Sequence, residues 1–96
     1  MALTPTGALN YSHLSANGTT TLKSGAGWLH TIIINTKGAS GNTVTVYDNT
    51  SASGTILAVI DPTQNLATLE FDAAFQTGLT IVLATGTAAD ITVSYL

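Results

Sequence analysis

The sequence has no cysteine and no arginine, and Lys23 and Lys37 are its only basic side chains apart from two histidines. Without thiols the fold cannot be stapled by disulfides, and thiolate metal sites and thiol nucleophiles are excluded. Two lysines cannot neutralise a run of phosphates, which argues against nucleic acid and anionic membrane as partners. No apolar run approaches the roughly 18 to 20 residues that span a bilayer, because Thr, Gly or Asn interrupts each one. The start, Met1-Ala2-Leu3-Thr4-Pro5, has neither the basic nor the apolar region of a secretory signal, so synthesis in a cytoplasm is expected.

Charge of either sign is scarce. Charged residues make up 7% of the chain against about 25% in an average soluble domain, while the 45% hydrophobic content is ordinary. Surface positions are filled by Thr, Ser, Asn and Gly, which desolvate more cheaply than charges when another protein covers them. The 96 residues suit one domain with one modest core.

What is present reads as strands. β-branched residues fill short runs separated by Gly, Asn, Asp and Ser, and helical periodicity is nearly absent. The pattern predicts strands over 28–35, 43–48, 55–61, 67–72, 79–84 and 90–95, with a further strand over 19–23. Lys37-Gly38-Ala39-Ser40-Gly41-Asn42 has the chemistry of a hairpin loop, and Ala73-Ala74-Phe75-Gln76 that of one helical turn. The expected fold is all-β, a single antiparallel β-sandwich, jelly-roll-like, over 19–96, preceded by an extended N-terminal arm over 1–18.

Two kinds of strand separate. Thr43-Val44-Thr45-Val46 and Asp90-Ile91-Thr92-Val93-Ser94 alternate strictly, as in a sheet with one buried face. Ile32-Ile33-Ile34, Ile56-Leu57-Ala58-Val59-Ile60 and Ile81-Val82-Leu83 are apolar on both faces, more than a two-layer fold of this size buries internally. Edge strands of soluble monomers usually carry Lys, inward charges or Pro, and only Glu70 lies inside a clear strand here. The expectation is burial against other protein chains. The candidate interface residues are Pro5, Leu9, Tyr11 and Leu14 in the arm, then Trp28, His30, Ile32, Ile33, Ile34, Leu57, Val59 and Val82.

Catalytic and metal chemistry find little support. Asp48, Asp61, Asp72 and Asp90 each fall at a predicted strand end, where an Asp side chain bonds backbone N–H groups of a turn. A calcium loop needs alternating acidic ligands, and Asp48-Asn49-Thr50-Ser51 has one carboxylate. His13 and His30 are the only imidazoles, no Gly-x-Ser-x-Gly is present, and alternation puts His30 on one face with Trp28, Ile32 and Ile34. No catalytic, cofactor or metal site is expected, and the chain reads as a non-enzyme. Trp28, Tyr11, Tyr47 and Tyr95 could stack on sugars, but three of them fall in predicted strands, where packing is the commoner use.

Over 25–96 the chain resembles small virion proteins of tailed bacteriophages, and four stretches carry the resemblance. They are Gly27-Trp28-Leu29-His30-Thr31-Ile32-Ile33-Ile34-Asn35, then 42–55, which includes Thr43-Val44-Thr45-Val46-Tyr47-Asp48-Asn49, and Thr77-Gly78-Leu79 together with Ala89-Asp90-Ile91-Thr92-Val93. The resemblance implies a head decoration, or cement, protein on the capsid surface of the virion. Its implied partners are itself, as a homotrimer or else a dimer, and the major capsid protein. The alternatives are a carbohydrate- or receptor-binding β-module of a tail fibre or baseplate, and a head–tail or tail-tube component.

Overall fold

Alternation decides the interior. In Thr43–Asp48 the side chains of Val44 and Val46 are fully buried between half-buried threonines, and in Asp90–Tyr95 Ile91 and Val93 do the same. A pleated strand sends successive side chains to opposite faces, so each strand supplies one wall of a core and one outer surface. The computed structural model describes residues 9–96 and contains eight strands: β1 (Asn10–Leu14), β2 (Gly18–Ser24), β3 (Gly27–Thr36), β4 (Thr43–Asp48), β5 (Thr55–Ile60), β6 (Thr68–Phe75), β7 (Gly78–Ala84) and β8 (Asp90–Tyr95).

The strands form two four-stranded sheets with every pairing antiparallel. Sheet A has the order β1-β8-β3-β6 and sheet B the order β2-β7-β4-β5. One core joins them: Leu29, Ile32, Ile34, Phe75, Ile91 and Val93 from sheet A meet Val44, Val46, Ile60, Leu79, Ile81 and Leu83 from sheet B. The result is an all-β, sandwich-like fold. Among the described residues no helix is long and apolar enough to cross a membrane.

Several expectations change. Asn10–Leu14, read as part of the arm, is an edge strand paired with β8 from Asn10 opposite Tyr95 to Leu14 opposite Ile91. Residues 1–8, including Pro5, lie outside the described residues. The segment 73–76 does not form a helical turn, because 73–75 extend β6 opposite Gly27, Trp28 and Leu29. The loop 37–42 does not close a hairpin: it carries the chain from sheet A to sheet B, as 85–89 carries it back. Only β4 and β5 are neighbours both in sequence and in a sheet.

Each end of the sandwich has a polar fastener. At one end Asn42, 1% exposed, donates from Nδ2 to Asn17 Oδ1 (2.9 Å) and to the carbonyls of Ala84 (3.2 Å) and Thr85 (2.8 Å), and accepts from Ala89 N (3.0 Å). At the other, the Asp48 carboxylate accepts from the backbone N–H groups of Gln76 (3.0 Å), Thr77 (2.8 Å) and Gly78 (3.4 Å), gripping the corner between β6 and β7. Asp61 caps its own turn, taking Thr63 N at 3.0 Å and Gln64 Nε2 at 3.1 Å, as the sequence implies.

These bonds favour the ionised acids. The Gln76 and Thr77 backbone bonds lower the pKa of Asp48, and the Thr63 and Gln64 side chains lower that of Asp61. Asp90 is lowered by the Asn35 amide and then by His13. A depressed folded-state pKa gives stability that is complete above the unfolded value, about 3.9, and lost as pH falls through the folded value. The expected thermal midpoint is therefore level from neutral pH down to about 5 and falls below about 4. A calorimetric series in pH checks this, and a midpoint unchanged at pH 3 would refute it.

Candidate interaction surfaces

The two outer faces differ in chemistry. On sheet A, cross-strand register sets out one row His13–Thr92–Ile33–Thr68 and a second Tyr11–Ser94–Thr31–Glu70. This face carries both imidazoles and three of the five acids, each imidazole bonded to an acid on a neighbouring strand. His13 Nε2 lies 2.6 Å from Asp90 Oδ1, and Asn35 Nδ2 donates to the same oxygen at 2.9 Å. His30 Nδ1 lies 2.6 Å from Asp72 Oδ1, with the Trp28 ring tilted against His30 at 5.3 Å between centroids. The pairs thus tie the peripheral strands β1 and β6 to the central strands β8 and β3. Their side chains are between 31% and 55% exposed, which limits each pair to the small contribution of a solvated ion pair.

His30 reaches this surface through a bulge. Register shifts between Leu29 and Thr31 on both sides: against β8, His30 is the extra residue, whereas against β6 the extra residue is on β6, between Glu70 and Ala73, and along β3 the face assignment switches. Trp28 and His30 consequently lie outside while Ile32 and Ile34 point into the core, instead of the four sharing one face. Asp72, opposite this irregularity, has a left-handed backbone with φ of 47°. Such a conformation is uncommon for a non-glycine residue, and the His30 bond helps to hold it.

Sheet B presents the other chemistry. Its outer rows are Thr19–Val82–Thr45–Val59 and Thr21–Thr80–Tyr47–Ile56, and neither contains a charge. One end is covered by the chain itself: Thr80 Oγ1 donates to Asn49 O at 2.8 Å, Thr21 Oγ1 donates to Thr50 O at 3.1 Å, and Thr80 is fully buried. The open part lies towards β5, where Ile56 is 49% and Val59 66% exposed.

A second bulge explains that exposure. The β4–β5 register steps from Val46 opposite Ala58 to Tyr47 opposite Ile56, so Leu57 is the inserted residue. Leu57 and Ala58 both lean on the core, leaving Ile56 and Val59 together on the outer face. A regular strand would have put 57 and 59 on one side.

The candidate interface residues therefore divide. Ile32 and Ile34 are core residues with no surface to offer, and Leu57 packs against the core. Leu14 also packs inward, Leu9 is half-buried, and Ile33 and Val82 are half-buried on opposite outer faces. Tyr11, Trp28 and Val59 are exposed. Ile56, within the run 56–60 that is apolar on both faces, joins Val59 on the outer face through a bulge that strand periodicity does not announce. Among the described residues no three His, Asp or Glu side chains converge in a way that could hold a metal ion, and no pocket opens beside either imidazole pair.

No protein-family model matches the chain, and no curated protein matches it significantly.

Proposed function

We propose that the chain is a structural, non-enzymatic virion protein of the head-decoration type, which binds the outer capsid and stabilises it through protein–protein contacts. The observation that carries this reading is the uncharged outer face of sheet B with Ile56 and Val59 exposed on it. Covering such a face removes apolar surface from water and desolvates no charge. The strand order β1-β8-β3-β6 against β2-β7-β4-β5 favours the jelly-roll version of the sandwich, a double-sheet fold used in viral shells. In this reading the protein acts as a homo-oligomer, its main partner is the major capsid protein, and the tie to neighbouring capsomers is the segment preceding β1, residues 1–8.

The test is whether purified protein binds preformed capsid shells and raises their resistance to heat. Removal of residues 2–8 leaves the eight described strands in place and is expected to weaken shell binding about tenfold or more, because one of several linked footholds is lost. Unchanged affinity would discard the role given to that segment. No shell binding, together with saturable sugar binding that depends on Trp28, would replace the proposal with a glycan-binding module.

A further inference from the structure

We infer that a second copy of this chain adds to the edge of β5 that no other described strand pairs, related by a two-fold axis, so that sheet B continues across the pair as eight strands. An edge strand presents unpaired backbone N–H and C=O groups, and proteins that avoid such pairing mark the edge with charge. Among the described strands, the edge strand β2 carries Lys23 and the edge strand β6 carries Glu70 and Asp72, while the edge strand β1 carries the polar His13, bonded to Asp90. β5, with the sequence TILAVI, carries no charged residue.

Charge also separates a second copy from many other occupants. The chain has a net charge of −3, so two copies repel unless they meet where no acid faces an acid. Glu70, Asp72 and Asp90 lie on sheet A, Asp48 at the end of β4 is held by backbone N–H groups of the β6–β7 corner, and Asp61, just after β5, is held in its own turn. Within β5 itself no position is acidic.

The bulge makes the strand complementary to itself. About the midpoint between Leu57 and Ala58, the order is Ile56 outside, Leu57 inside, Ala58 inside and Val59 outside. An antiparallel copy turned about that midpoint sets Ile56 against the second copy's Val59 on the outer surface and Leu57 against its Ala58 on the core side. Both copies make the same contacts, as an isologous interface requires. The bulge faces β4, and its extra residue is what brings the outward pair into register. A two-fold pair is the dimer, rather than the homotrimer, of the two assemblies the phage resemblance implies, and it deepens the decoration reading, on which that part rests, by naming the first partner.

The closing experiment uses no shell, so its failure is separate from failure of the capsid proposal. Native mass spectrometry and light scattering of the full chain are expected to give a dimer. Val59→Lys and Ile56→Lys should each yield monomer with an unchanged circular-dichroism spectrum, since both positions are exposed. Because the chain has no cysteine, the double variant I56C/V59C should oxidise to a covalent dimer, whereas I56C and V59C alone should not, each thiol facing an unmodified residue. A wild-type monomer or trimer, a dimer indifferent to both lysines, or single variants that cross-link as readily as the double would overturn the inference.

Discussion

Asn42→Ala is expected to lower the unfolding free energy by about 3 kcal/mol and the thermal midpoint by roughly 12 to 24 °C. The side chain is 1% exposed and joins three connections: Asn17 between β1 and β2, its own loop between β3 and β4, and Ala84, Thr85 and Ala89 around the return from β7 to β8. Truncation leaves the Ala89 N–H, in a residue with no exposed surface, without its acceptor. An orphaned buried donor costs about 1 to 3 kcal/mol, and the Ala84 and Thr85 carbonyls lose a donor as well.

Asn42→Asp separates this account from simple loss of volume. It keeps an oxygen for Ala89 but turns a second oxygen towards three acceptors, so repulsion replaces three hydrogen bonds. Its deficit should match or exceed that of Asn42→Ala and grow as pH rises above the carboxyl range. Urea denaturation followed by circular dichroism measures both. A loss below about 1 kcal/mol in each variant would mean that the loops hold together without this amide.

That fastener belongs to the part of the structure that local sequence does not announce. Strand existence is legible because Val44, Val46, Ile91 and Val93 alternate with polar residues and glycine-rich turns punctuate them. β1 escapes because Asn-Tyr-Ser-His-Leu is polar and its support comes from pairing with β8, a contact distant in sequence. The destination of a loop is equally hidden. Residues 37–42 have hairpin chemistry, yet Ala39 bonds Thr87 in the loop leaving β7, and the chain changes sheets.

The candidate surface was half legible for a related reason. Low charge points to faces that cost little to cover, but which residues form them depends on register irregularities at His30, an extra residue against β8, and at Leu57, an extra residue against β4. One extra residue reverses the face of everything beyond it. Ile32 and Ile34 thereby moved into the core, and Ile56 moved out beside Val59.

Phe75→Ala is expected to cost about 3 to 5 kcal/mol, and Gly27→Ala about 1 to 3 kcal/mol, with the two effects coupled. Phe75 is 1% exposed at the end of β6, directly opposite Gly27 at the start of β3. A Cβ on Gly27 would come within 2.5 and 2.9 Å of two Phe75 ring atoms and would also press on the Leu96 carbonyl. Glycine is required here for close approach, not for backbone conformation. Leu96 cannot retreat freely, because its N–H and carbonyl each bond Trp28 at 2.8 Å. The ring is thus one of two obstacles to the methyl group. In the Phe75→Ala background that obstacle is gone, and Gly27→Ala should cost at least about 1 kcal/mol less than in the parent. Denaturation of the two single variants and the double measures the coupling. Strict additivity would assign the whole cost of Gly27→Ala to Leu96 and would remove Phe75 from the account of why glycine stands beside Trp28.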